Sequence, residues 1–182
     1  DGLQINNGHA NQSSGSGRFG AAIQVGNGQD TFTSGFTLKN CEIKNNVSYN
    51  GGNISAFYTS NATVLFENTK FDNNLSRIGG VGYFTHRSAN TQLNLRVYNC
   101  LFSNNKTADR LDVPSNTIVT GISGSVLYAA PLSITSYIDT RISNSTFVNN
   151  IDSGTSPSTI RGPLDLIKYN TTFTTHQGFI NN

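Results

Sequence analysis

Large apolar residues recur along the chain just before a pair of asparagines. Ile43-Lys44-Asn45-Asn46, Phe71-Asp72-Asn73-Asn74, Phe102-Ser103-Asn104-Asn105, Phe147-Val148-Asn149-Asn150 and Phe179-Ile180-Asn181-Asn182 share one plan, and Ile5-Asn6-Asn7 is a shortened copy. The copies lie about 30 residues apart, with one longer interval, which is the period of a solenoid. Upstream of the pair, Phe36 to Lys39, Val64 to Glu67, Leu95 to Tyr98 and Thr140 to Ser143 alternate inward and outward candidates, the period of a strand with one buried face. Parity breaks at the next residue, always asparagine: Asn40, Asn68, Asn99 or Asn144. The inward candidates then become a small residue (Cys41, Thr69, Cys100, Ser145) and a large one (Ile43, Phe71, Phe102, Phe147). A parity break at a fixed asparagine predicts a corner, because asparagine tolerates left-handed backbone and bonds to its own main chain.

A glycine pair follows. Gly51-Gly52-Asn53-Ile54 and Gly79-Gly80-Val81-Gly82 begin at the same distance after their asparagine pairs, and Gly20-Ala21-Ala22-Ile23 and Gly124-Ser125-Val126-Leu127 are looser copies. Each unit therefore reads as strand, Asn corner, short strand, Asn-Asn corner, Gly-Gly turn, strand. Such a unit cannot bury a face alone. Stacking equivalent strands about 4.8 Å apart solves this and brings like residues into columns. The prediction is an all-β fold: a single parallel β-helix over residues 1–182, of about five to six irregular coils. Ile43, Phe71, Phe102 and Phe147 form its internal core column, and asparagines an internal or corner amide ladder. The competing arrangement, an antiparallel sandwich with asparagine-rich turns, does not account for a register kept this long.

The regular units run from Thr31 to about Lys106. Before them, Asn11 to Gly17 forms an excursion that ends at a strand over Ala21 to Val25. After them, an insertion over 107–116 carries Asp109, Arg110, Asp112 and Pro114 before strands resume at Thr117. The last unit holds Leu164 to Tyr169. Long excursions from a solenoid lie on one face and are where specificity is placed.

Only 12% of residues are charged, 18 are glycine, and the formal net charge is +2. Lysine and arginine are scattered with no basic stripe, which argues against a nucleic-acid partner. No apolar run approaches the roughly 20 residues of a membrane span. The chain contains no methionine, so a processed or partial segment is expected, with any leader or anchor outside it. Neither end carries a capping helix or a charged, proline-rich edge, and open coils expose unpaired backbone groups. The expectation is flanking coils or copies stacked head to tail, a contact that propagates as a filament or stalk.

Asn-x-Ser/Thr occurs at Asn11, Asn46, Asn53, Asn61, Asn74, Asn105, Asn144 and Asn170. A composition this rich in the three residue types yields several by chance. Three of them, at Asn46, Asn74 and Asn105, share one repeat position, and this predicts N-linked glycans in a row along one edge of a secreted or cell-surface protein. Cys41 and Cys100 share a column but are two coils apart, about 9.6 Å, beyond the reach of a disulfide. They read as small core residues.

Catalysis on acidic polysaccharides needs clustered carboxylates or calcium ligands. Here Glu42 pairs with Lys70 and Lys39 with Glu67 across outward columns, and Asp109, Arg110 and Asp112 read as a solvated loop. His9, His86 and His176 lack metal-ligand spacing. We expect no catalytic residues, no metal and no cofactor. The rival readings are a polysaccharide lyase or glycoside hydrolase, and a glycan-binding module using aromatics such as Tyr83 or Tyr128. An extracellular polysaccharide is a candidate partner under each.

The Phe-x-x-Asn tetrapeptides at Phe71, Phe102, Phe147 and Phe179, with Gly20 to Ile23 and Gly51 to Ile54 approximating Gly-Gly-Ala-Ile, resemble the repeats of the chlamydial polymorphic outer-membrane proteins. The resemblance covers most of the chain and implies a right-handed parallel β-helix used as an adhesin or surface stalk.

Overall fold

The computed structural model describes residues 1–10, 20–26, 34–86, 88–107, 126–131, 135–152 and 164–166. Among these residues there are strands and turns and no helix. The first pass of chain supplies β1 (Gln4–Asn6), β2 (His9–Ala10), β3 (Ile23–Val25) and β4 (Phe36–Lys39). The second supplies β5 (Glu42–Lys44), β6 (Val47–Gly51), β7 (Ile54–Tyr58) and β8 (Ala62–Glu67). The third supplies β9 (Lys70–Asp72), β10 (Leu75–Ile78), β11 (Gly82–His86) and β12 (Gln92–Tyr98). The fourth supplies β13 (Leu101–Ser103), β14 (Lys106–Thr107), β15 (Leu127–Pro131) and β16 (Tyr137–Ser143), and β17 (Thr146–Val148), β18 (Ile151–Asp152) and β19 (Leu164–Leu166) follow.

Each strand from β1 to β15 pairs in parallel with the strand four places further on. This gives sheet 1 (β1-β5-β9-β13-β17), sheet 2 (β2-β6-β10-β14-β18), sheet 3 (β3-β7-β11-β15-β19) and sheet 4 (β4-β8-β12-β16). The result is a solenoid-like stack of parallel sheets in which no sheet closes on itself. The aligned stretches keep their register: Phe36 lies on Val64, Val64 on Leu95, and Leu95 on Thr140. Val64, Phe66, Leu93, Leu95 and Val97 on these strands are wholly buried and form one core with residues of the other sheets.

The corners are asparagine chemistry. Every non-glycine residue with positive φ among the described residues is an asparagine. Asn40, Asn68, Asn99 and Asn144 turn the chain from sheet 4 into sheet 1, with φ between 50° and 55°. Asn7, Asn45, Asn73, Asn104 and Asn149 turn it from sheet 1 into sheet 2, with φ between 50° and 59°. Asparagine is among the few residues with a side chain that visit this region readily.

Two features differ from the sequence reading. The repeat contains a fourth strand, in sheet 2, between the asparagine pair and the glycine turn. Its inward residues are Ser48, Ser76 and Thr107, all buried, so no apolar alternation announces it. The first copy of the motif is also not shortened. Ile5 pairs with Ile43 and Asn6 with Lys44, so Asn7 takes the corner and Gly8 stands where later copies have their second asparagine. Glycine is required there, since a Cβ on Gly8 would lie 2.1 Å from the Ala21 carbonyl oxygen.

Candidate functional surface

The interior accounts for most of the recurring residues. Ile5, Ile43, Phe71, Phe102 and Phe147 stand in successive registered pairs on sheet 1. The Phe71 and Phe102 rings stack at 4.7 Å and 9°, and Phe102 and Phe147 at 4.6 Å and 7°. Ile43, Phe71 and Phe102 are wholly buried, and Phe147 is partly buried.

The second asparagine of each pair points inward and builds a continuous ladder. Asn46 Nδ2 donates to Asn74 Oδ1, Asn74 Nδ2 to Asn105 Oδ1, and Asn105 Nδ2 to Asn150 Oδ1, each at 3.0 Å. Each backbone N–H in the series donates to the same oxygen, at 3.2, 3.1 and 3.0 Å. The second Nδ2 hydrogen goes to the preceding pass: Asn46 to Ile5 O, Asn74 to Ile43 O, Asn105 to Phe71 O and Asn150 to Phe102 O. Both hydrogens and the oxygen of each internal amide are thus engaged, the condition for burying the group without penalty. Below Asn46 the ladder stops, because Gly8 offers only its backbone N–H, 2.8 Å from Asn46 Oδ1.

This overturns the expectation of glycans at Asn46, Asn74 and Asn105. These side chains are at most 1% exposed, and their nitrogens hold the ladder together. Asn53 is excluded on the same ground: it is wholly buried and donates to the carbonyls of Leu75 and Gly80. Asn61 and Asn144 are exposed. Asn11 and Asn170 lie outside the described residues, as do Asp109, Arg110, Asp112, His176 and the Phe179 copy of the motif.

A second internal ladder runs through the small column. The Cys41 N–H donates to Thr69 Oγ1, and the Cys100 N–H to Ser145 Oγ. Cys41, Thr69, Cys100 and Ser145 each donate to the carbonyl two residues before them. Thiol and hydroxyl do the same work at this position. Both cysteines are buried and free, and burial pushes the Cys100 thiol up to about 11.

Outside, sheet 1 carries short-range ion pairs. Lys70 Nζ lies 3.6 Å from Glu42 and 3.4 Å from Asp72. Hydrogen bonds from Ser103 and Asn104, together with Lys70, hold the Asp72 carboxyl below its usual range. At its border with sheet 4, Lys39 pairs with Glu67 at 3.1 Å.

Sheet 4 presents a connected polar wall. The Tyr137 hydroxyl donates to Gln92, Gln92 Nε2 donates to Asn94 Oδ1, and Arg96 joins Asn94 at 3.0 Å and Asp139 at 2.6 Å. Arg141 is largely exposed beside Asp139, and Tyr98 and Tyr137 are exposed at 36% and 41%. Sequence reading missed this wall, although its alignment set Arg96 level with Arg141 and, one step beyond the aligned stretch, Asn94 stands level with Asp139. On sheet 3, Tyr83 and Tyr128 stack at 5.2 Å and 8°, and Phe57 meets Tyr83 edge-on. Tyr128 and Phe57 are buried, so these aromatics are packing residues rather than open sugar platforms.

Among the described residues no group of three or more His, Cys, Asp or Glu comes together that could hold a metal ion, and no helix is long and apolar enough to cross a membrane. No family model, no curated protein and no solved structure matches the chain.

Proposed function

We propose that the chain is a parallel β-helix serving as a non-enzymatic structural or adhesive element, a stalk-like rod outside the cell or on its surface. One observation carries this reading: the residues that the chain repeats are spent on the interior and on the corners. The second asparagines, the small column and the apolar column hold one pass to the next, and the corner asparagines set the turns. Repetition of this kind supports length and rigidity, the properties of a solenoid scaffold. What varies from pass to pass is the outer surface, the part available for partners. Those partners are extracellular polysaccharide, N-linked glycans on the protein itself, and further copies stacked end to end.

A glycan-binding role is the second reading, favoured by the wall on sheet 4. Exposed Tyr98 and Tyr137 flank a row of amide, guanidinium and carboxylate groups, the mixture of flat apolar faces and fixed polar groups that sugars require. One panel separates these readings. Incubation with neutral and acidic polysaccharides should give no new reducing ends and no unsaturated product. Robust turnover would sink the scaffold reading. Saturable binding without turnover, lost in Tyr98→Ala and Tyr137→Ala, would select the glycan-binding module. Electron microscopy of the native material should show rods or filaments, and discrete compact particles would count against the stalk.

A further inference from the structure

The six Asn-x-Ser/Thr triplets among the described residues divide into two physical classes. In a strand, residues two apart share a face. An inward asparagine followed two residues later by an inward hydroxyl therefore spells the triplet without any glycan being involved. Asn46 and Ser48, Asn74 and Ser76, and Asn105 and Thr107 are such pairs. Asn53 and Ser55 are buried as well, with Ser55 in register with Tyr83 on the face of sheet 3 opposite the core residues Ile54 and Ala56. All eight residues are at most 1% exposed. Ser48 and Ser76 donate to the carbonyls of Gly51 and Ile78. Burial, not a glycan, accounts for these four triplets.

Two described triplets have the opposite parity. Asn61 and Thr63 are both exposed, and so are Asn144 and Thr146. Asn61 Oδ1 accepts the Gln92 N–H at 2.8 Å, which holds the side chain at the start of β8 and leaves Nδ2 outward. Asn144 has φ 50° at the exit of β16. Its predecessors at this corner form an outward ladder, Asn99 to Asn68 to Asn40, and Asn144 stands beyond the last rung.

We infer that Asn61 and Asn144 are the N-glycan acceptors of the described residues. This rests on the extracellular reading. The reaction joins Nδ2 to the anomeric carbon of an oligosaccharide carried on a lipid pyrophosphate. The C–O bond to pyrophosphate breaks, the lipid pyrophosphate leaves, and one amide proton is released. Only Nδ2 is consumed, so the Asn61 Oδ1 bond to Gln92 survives. The two sites sit at opposite borders of sheet 4. Asn61 is level with Gln92 and Tyr137 by register. The path to Asn144 crosses two strands and about seven residues, roughly 25 Å. Two glycans fit there without the crowding that a row spaced by one strand would impose, and they flank the polar wall.

The test is secretion of the full chain from a eukaryotic host, followed by enzymatic deglycosylation in heavy-oxygen water and peptide mapping. Cooperative melting confirms that the secreted material is folded. Label is expected at Asn61 and Asn144 and absent from Asn46, Asn53, Asn74 and Asn105. Thr63→Ala and Thr146→Ala, which delete each triplet while keeping its asparagine, should each remove one glycan. Label at a ladder asparagine in folded protein, or glycans elsewhere with none at Asn61 and Asn144, would overturn the assignment alone. Folded, secreted protein with no glycan at all would overturn both the assignment and the glycoprotein reading beneath it.

Discussion

The ring of Phe71 lies flat on that of Phe102, with centroids 4.7 Å apart and planes 9° from parallel. Both side chains are wholly buried. Phe71 also meets Phe66 of sheet 4 at 5.0 Å, so the column is tied sideways as well as vertically. Phe71→Ala should cost about 3–5 kcal/mol, the range for removing a core aromatic. Phe71→Asp should be worse, since it buries an unpaired charge. Phe147→Ala should cost less than Phe71→Ala, because Phe147 is only partly buried. Urea unfolding of the three variants measures this, and a Phe71→Asp midpoint equal to wild type would refute the column.

Asp72 links stability to pH. Its carboxyl is held low, first by the hydrogen bond from Ser103 and then by Asn104 and Lys70. A depressed folded-state pKa means that the stabilisation is complete above the unfolded value, about 3.9, and is lost as pH falls through the lower folded value. Asp72→Asn should therefore lower Tm near neutral pH, and the gap from wild type should close on acidification below about pH 4. A gap that stays constant from pH 7 to pH 2 would show that the effect is steric rather than electrostatic.

Cys100 tests whether its column is chosen for hydrogen bonding or for size. Its sulfur takes the Thr69 N–H, and its thiol faces the Tyr98 carbonyl at 3.2 Å. Ser145 makes the equivalent contact one pass later. Cys100→Ser should stay within about 1 kcal/mol of wild type, whereas Cys100→Val leaves the Thr69 N–H without its acceptor, at about 1–3 kcal/mol, while the Tyr98 carbonyl keeps the Asn68 N–H. The raised thiol pKa also predicts negligible alkylation of native protein at pH 8 and full alkylation in denaturant. Rapid native labelling would contradict the burial.

Much of this architecture was legible because columns of like residues force like residues into one phase. The alternation over Val64 to Glu67, the break at Asn68 and the return at Phe71 could be read directly. The strand of sheet 2 could not, since its inward side is Ser48, Ser76 and Thr107 rather than an apolar row. Nor could the division of labour within each asparagine pair, because residue type is the same at both positions and only the backbone separates them. Parity misled at Asn46, Asn74 and Asn105, where an inward hydroxyl two residues on imitates a glycosylation signal. The wall on sheet 4 was missed although the alignment sets Arg96 level with Arg141, because its ion pair runs diagonally, from Arg96 to the Asp139 carboxylate two places before Arg141.

The sharpest consequence concerns two neighbours of one residue type. Asn73 has φ 50° and is exposed, and its Nδ2 donates to Asn45 Oδ1 at 2.9 Å in water. Asn74 is 1% exposed and engages Asn46, Ile43 and Asn105. Glycine adopts the left-handed corner freely, so Asn73→Gly should cost less than about 1 kcal/mol, the worth of one exposed hydrogen bond. Asn73→Val forces a β-branched residue into that region and should cost more, about 1–3 kcal/mol. At Asn74 the order reverses in cause. Asn74→Gly removes the acceptor for two Asn46 donors and the Nδ2 donor to Ile43, while its backbone N–H still serves Asn105 as that of Gly8 serves Asn46; at about 1–3 kcal/mol per orphaned group it should rank among the most damaging single changes. Chemical denaturation of Asn73→Gly and Asn74→Gly side by side decides the matter. Equal losses would mean that the inward ladder contributes no more to stability than the outward one.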